Sequence, residues 1–223
     1  MTNEISAASN RIVSKIDELI DLDKKIFITS SFQTQSLPLL HIISQAKKTV
    51  PVAFIDTGYL FPETYKFKDY LVERLGIEVV SLTSNVSMLE QKSSNGDLLF
   101  LTNTERCCQL NKVDVLQEYS KNFDIWVSGV RADQSKTRSH LKEFQTNTNG
   151  TTRYHPMLPW TSKMVFDYRK LHNLPEHPLE AKGYLSVGCM PCTSTYLESV
   201  GSERSGRWQG MKKEECGLHT NLA

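Results

Sequence analysis

Lys25-Ile-Phe-Ile-Thr29, followed by Ser30-Ser-Phe-Gln-Thr-Gln-Ser36 and then Leu37-Pro-Leu-Leu-His-Ile-Ile43, is the stretch that decides the fold. The first segment is a short apolar run, the pattern of a buried strand, and the last is apolar enough to begin a helix. Between them lies a loop of hydroxyl and amide side chains. First-turn N–H groups of a helix have no intrahelical acceptor and sit at the positive end of its dipole. A strand, a Ser/Thr loop and a helix start therefore make a candidate anion site. The same residues also suit a plain helix cap, because the loop contains no Gly and no Walker lysine.

Working outward, the rhythm repeats. Before this unit, Ile12, Ile16, Leu19 and Ile20 within Ile5 to Leu22 have the spacing of an amphipathic helix. After it, Val50 to Ile55 predicts a strand that Asp56-Thr57-Gly58 closes, and Pro62 opens a helix. Ile77 to Leu82 predicts a third strand, whereas Thr83 to Asn103 shows no readable period. A fourth, Phe123 to Val127, runs into Ser128-Gly129-Val130-Arg131 and the cations Lys136 and Arg138. Beyond Gly150, Tyr154 to Trp160 reads as extended, Thr161 caps a helix to about His172, and Pro175 and Pro178 stop it. Strands alternating with helices predict an α/β fold with a doubly wound, mostly parallel sheet. Ligands bind such sheets at the carboxyl ends of strands, which places Asp56, Thr57 and Gly58 beside the first loop and brings Arg131, Lys136 and Arg138 near the same face, where a Gly followed by three cations suggests phosphate or sulfate. Asp56 also suits a simple turn-forming cap. One domain over residues 1–223 is expected, with a core over about 25–200 and a mobile tail over about 201–223.

Composition narrows the function classes. Of 223 residues, 39% are hydrophobic, enough for a sizeable core. The net charge of +1, from 26 basic and 25 acidic residues, supplies no global field for nucleic acid or an acidic membrane surface. No apolar run approaches the ~18 residues of a membrane span, and residues 1–10 lack the apolar stretch of a signal peptide. A cytoplasmic protein is expected, with a homo-oligomer left open.

There are five cysteines. Four form two close pairs, Cys107-Cys108 and Cys189-x-x-Cys192, and the fifth stands alone in Glu215-Cys216-Gly217-Leu218-His219. Thiolates bind soft metals, and two pairs can complete a four-thiolate set. Adjacent Cys107 and Cys108 fit a single zinc ion awkwardly and a larger iron–sulfur object more easily. From the residues alone zinc and a cluster stand level, with a vicinal disulfide or free thiols as the third reading. Cys216, three residues ahead of a histidine near the end of the chain, is a candidate nucleophile.

Asp56-Thr-Gly-Tyr-Leu-Phe-Pro-Glu-Thr64, Gly129-Val-Arg-Ala-Asp-Gln-Ser135, Gly183-Tyr-Leu-Ser-Val-Gly188, Glu203-Arg-Ser-Gly-Arg-Trp208 and Glu215-Cys-Gly-Leu-His219 together resemble assimilatory adenylyl-sulfate (APS) and phosphoadenylyl-sulfate (PAPS) reductases. The resemblance runs from about Lys25 to His219. It implies an adenine nucleotide α-hydrolase-like sheet related to ATP pyrophosphatases, with Ser30 to Ser36 as a modified phosphate loop. It also implies that Cys107, Cys108, Cys189 and Cys192 hold a [4Fe-4S] cluster, as in the adenylyl-sulfate branch. Lys112 matches the lysine between cluster and substrate. Arg204 and Arg207 match the arginines that hold the substrate's phosphate and sulfate. Cys216 matches the nucleophile, with His219 close behind it. Ser30, Ser31, Phe32, Gln35, Thr57, Gly129 and Arg131 fall on nucleotide-binding positions. One departure stands out, because this chain has Gln33 where the family commonly has Gly.

The activity so implied is thioredoxin-dependent reduction of adenosine 5′-phosphosulfate to sulfite and AMP through an S-sulfonated Cys216, with thioredoxin or a glutaredoxin-like protein as reductant. The alternatives are the same chemistry on the 3′-phosphorylated nucleotide and a non-catalytic iron–sulfur nucleotide sensor. An ATP pyrophosphatase is disfavoured because the loop lacks an acidic residue to help hold magnesium.

Overall fold

Helix α1 (Thr2–Asp21) turns Ile5, Ile12, Ile16 and Leu19 inward, as its apolar spacing requires. The structure is a computed structural model and describes residues 2–135, 138–147, 150–195, 206–208, 213 and 217–218. The next unit is β1 (Ile26–Thr29), a 3-10 turn at Thr34–Ser36 and α2 (Leu37–Ile43). Then come β2 (Val52–Ile55), α3 (Pro62–Leu75) with Pro at its start, and β3 (Val79–Leu82).

The stretch without a readable period leads into a nearly continuous helical run: α4 (Leu99–Thr102), α5 (Thr104–Cys108), a π segment (Gln109–Val113) and α6 (Asp114–Ser120). Asn103 breaks it and caps α5, its Oδ1 accepting the Arg106 N–H at 2.9 Å. The chain continues through β4 (Ile125–Ser128), β5 (Phe144–Thr146), β6 (Thr152–Tyr154) and α7 (Ser162–Leu171). The Thr161 hydroxyl caps α7 by accepting the Met164 N–H at 3.2 Å. The segment expected to be extended from Tyr154 to Trp160 stops being strand at Tyr154. Pro156 and Pro159 have no N–H for a ladder, and the chain turns, with Leu158 donating to His155 at 3.2 Å.

Among the described residues six strands form one sheet in the order β3-β2-β1-β4-β6-β5, parallel except for β5 against β6. The fold is therefore the expected α/β type with a mostly parallel sheet. Along β1, Ile26 and Ile28 join one apolar cluster with α1, α2 and α7, while Phe27 faces the other with Trp126, Val113 and Leu116. Side chains alternate across a strand, so helices cover both faces. Strand order reverses between β1 and β4, and chains leaving those two strands diverge to opposite sides. A crevice must open at their carboxyl ends.

Candidate active site

At that crevice a cleft of about 240 Å³ is lined by Ser30, Ser31, Gln33 and Gln35 from the first loop and by Ser128 and Gly129 from the end of β4. The loop is shaped by its own hydroxyls. Ser30 Oγ accepts the Phe32 N–H at 3.1 Å and lies 3.2 Å from Ser36 Oγ, which donates to the Gln33 carbonyl at 2.7 Å. Phe32 adopts φ 54° and drives its ring into the core, edge-on to Phe54 at 5.5 Å. Its side chain therefore does not line the cleft, although its backbone bends the loop. Thr34 is buried; its Oγ1 bonds Glu180 and accepts the His177 N–H at 2.9 Å, anchoring the loop from below.

Gln33 lines the cleft, with its side chain turned to the opposite wall. Its Oε1 accepts the Val187 N–H at 3.0 Å and ties the loop to the 183–188 segment opposite. Arg207 lies across the same segment, donating to the Val187 carbonyl at 3.0 Å and stacking over Trp208 at 4.7 Å. A Cβ on Gly188 would stand 2.1 Å from the Arg207 guanidinium, so this position has to be glycine for the arginine to lie where it does. Lys112, Arg138 and Arg207 all line the cleft.

Arg131 is placed differently. It is 1% exposed, absent from the cleft wall, and bonded to Asp133, Gln35 and Ser162 at 3.0, 2.7 and 2.8 Å. Its role is to hold the Ala132–Gln134 turn and Gln35. Asp56 accepts from the Gly58 N–H at 2.9 Å and the Tyr65 hydroxyl at 2.6 Å, which is the turn-forming role its position allowed.

A second, smaller cavity adjoins the first and is lined by Cys107, Cys108, Cys189 and Cys192 together with Thr57, Tyr59, Asn111 and Lys112. All four cysteines are buried and none is joined in a disulfide. Cys107 and Cys108 come from α5, and Cys189 and Cys192 bracket a 3-10 turn. Among the described residues no three His, Cys, Asp or Glu side chains converge closely enough to hold a single metal ion. The thiols surround the cavity and do not meet at one point. Burial pushes the Cys107 and Cys192 thiols up. Burial would raise Cys189 too, but Lys112, the Thr57 hydroxyl and Arg207 outweigh it and hold that thiol below its ordinary value. Lys112 is on the π segment, a helix irregularity found often at functional sites.

Residues 25–195 match the phosphoadenosine phosphosulfate reductase domain. The chain belongs to that family. It is 36% identical over 193 residues to the adenosine 5′-phosphosulfate reductase of Salinibacter ruber, covering 86% of this chain and 77% of that protein. Its fold is similar to phosphoadenylyl-sulfate reductase from Candida auris, with a TM-score of 0.69 at 22% identity over 87% of this chain and 97% of the other. It is also similar to Candida glabrata FMN adenylyltransferase, with a TM-score of 0.60 at 17% identity over 84% and 62%. Both likenesses place the sheet among adenine nucleotide α-hydrolase-like folds, as the motifs implied.

Of the family positions named from sequence, Ser30, Ser31, Gln35, Thr57, Lys112, Gly129 and Arg207 come together around the cleft. Arg204, Lys136, Cys216 and His219 lie outside the described residues. Trp126, which lines the cleft floor, and Leu218 beside it were not legible as site residues, because strand periodicity marks Trp126 only as core. No helix among the described residues is long and apolar enough to cross a membrane.

Proposed function

We propose that this chain reduces adenosine 5′-phosphosulfate to sulfite and AMP, with Cys216 as nucleophile and a thioredoxin-like dithiol as reductant. The observation that carries this reading is the wall common to the two cavities. Thr57, Lys112 and Cys189 face both the cleft, where Arg138 and Arg207 add positive charge, and the four-cysteine cavity. The relatives' reductase names support it.

In the first half-reaction the Cys216 thiolate attacks the substrate's sulfur. An S–S bond forms, the O–S bond to the phosphate breaks, and AMP leaves with the electron pair. Bringing an anionic nucleophile to an anionic sulfonyl group is the main obstacle. Lys112, Arg204 and Arg207 offset that repulsion in a partly desolvated site. In the second half-reaction one thiol of the dithiol attacks the sulfur of Cys216. Sulfite leaves with two electrons, the dithiol closes to a disulfide, and Cys216 returns to the thiol. The tail, residues 201–223 of a single reductase domain, alternates between pocket and partner. Such a reductant is available in the cytoplasm, where thiols stay reduced.

Four soft thiols around one cavity, with no carboxylate or imidazole in its wall, fit an iron–sulfur cluster, which Cys107, Cys108, Cys189 and Cys192 would hold. When bound, the cluster supplies a fixed charge that tunes the field at the substrate's sulfate. Lys112 is the residue placed to answer it from the cleft side.

The test is the intermediate. Wild-type protein mixed with substrate without reductant should gain one sulfonate on the peptide containing Cys216, release one AMP and stop, while Cys216→Ser gains nothing. A label on any of the other four cysteines, or normal sulfite formation without Cys216, overturns the assignment. A higher kcat/KM on the 3′-phosphorylated nucleotide overturns the choice of substrate.

A further inference from the structure

Phe27, Trp126 and Arg153 form one row across three neighbouring strands. Phe27 pairs with Trp126 and Trp126 with Arg153 in the parallel register, so all three project from the same face. The rings of Phe27 and Trp126 stack at 6.0 Å with an interplanar angle of 16°. The Arg153 guanidinium lies over the Trp126 ring, 4.0 Å from its centroid. Trp126 cannot swing, because its indole N–H donates to Thr29 Oγ1 at 2.8 Å. A residue far along the chain completes the platform. Arg153 Nη2 donates to the main-chain carbonyl of Leu218, and the Leu218 side chain packs against the same aromatic cluster while lining the cleft. Gly217 just before it is buried at φ 86°, a conformation that side chains disfavour.

A guanidinium taken wholly out of water is costly unless its face and its N–H groups are engaged. Arg153 is 0% exposed, and part of that engagement comes from the C-terminal tail itself. We propose that Arg153, seated on Trp126, is the latch that docks this tail: through the Leu218 carbonyl it registers the chain two residues from Cys216. Arg153 is thus a positioning residue acting through Leu218. The proposal rests on the reductase reading for its purpose and on the platform's geometry for its existence.

Two variants test it from opposite sides. Arg153→Met removes the cation from beneath the tail, and Leu218→Ala weakens the tail's own hold without touching the sheet. Docking is read without any reaction, by tryptic cleavage after Lys213 and by amide exchange of the C-terminal peptide. Both should rise about tenfold in each variant, the equivalent of one charge-assisted hydrogen bond or one buried side chain. Arg153→Lys, which keeps a donor, should restore part of the protection. In single turnover, S-sulfonation should slow about tenfold. If Arg153→Met fails to fold, Leu218→Ala decides the matter alone. Unchanged cleavage and exchange in Leu218→Ala overturns the latch, whatever the sulfonation rate. A tail that loosens as expected in a protein whose wild type forms no sulfocysteine supports the latch and sinks the reductase reading instead.

Discussion

The sulfur of Cys189 lies 3.3 Å from the hydroxyl oxygen of Thr57, and both residues face the cleft as well as the cysteine cavity. Thr57 also accepts the Tyr59 N–H at 3.2 Å, so one hydroxyl at the end of β2 positions a thiol and shapes the turn after the strand. Thr57→Val keeps the shape and removes the hydroxyl. We expect kcat/KM to fall about tenfold, since a hydrogen bond to a charged group is worth about 1.5–3 kcal/mol, and Thr57→Ser to recover most of it. Equal kcat/KM for the valine variant and the wild type would show that the hydroxyl does not couple the cavities.

Gly188 sets where Arg207 lies. Gly188→Ala puts a methyl into the guanidinium, which is the far end of a flexible side chain and can swing away. Activity should fall at least about tenfold while Tm changes little, because the core is untouched. A large loss of Tm would mean instead that Gly188 serves the fold.

Protein purified without air should be brown, with about four irons and four sulfides per chain. Cys108→Ser or Cys189→Ser should lose colour and activity together, because a hydroxyl is a poor substitute for a soft thiolate. Stoichiometric zinc with no visible absorption would overturn the cluster.

Two buried imidazoles make the fold acid-sensitive. Burial pulls His155 down to about 4, helped by Arg153 and Arg138. Burial pulls His177 to about 4 as well. Its Nδ1 accepts the Leu179 N–H at 3.2 Å and its Nε2 faces Thr64 Oγ1, an arrangement that requires the neutral ring. With folded values below the unfolded value, the unfolded chain binds protons first as pH falls. Stability is full above about pH 6.5 and is lost progressively toward pH 4, by at most about 3 kcal/mol per histidine. Denaturant midpoints across that range check the slope, and His177→Asn should flatten it. A wild-type slope unchanged in the variant would remove His177 from the account.

How much of this was legible beforehand varied with the kind of information each residue carries. β1, β2 and β4 are apolar runs buried on both faces and announce themselves, as does α7 through Thr161. β5 has three residues, with Phe144 39% exposed, and its pairing with β6 comes from tertiary context that no local pattern encodes. The helical run from Leu99 to Ser120 is cut into pieces too short for a period to register. At the site, the strand end put Thr57 at the cleft wall because topology alone dictates that position. Arg131 shows the limit: sequence placed it at the right strand end, but only the structure reveals that its guanidinium turns toward Asp133 and Ser162.

The bond from the Val187 N–H to Gln33 makes the first loop and the 183–188 segment a single unit of exchange. Transplanting a glycine-bearing loop from a relative would leave Val187 without its acceptor and so loosen the segment that carries Gly188 and Arg207. A chimera would have to move both pieces together, and Gln33 and the residues facing it should tolerate replacement jointly where each alone is costly.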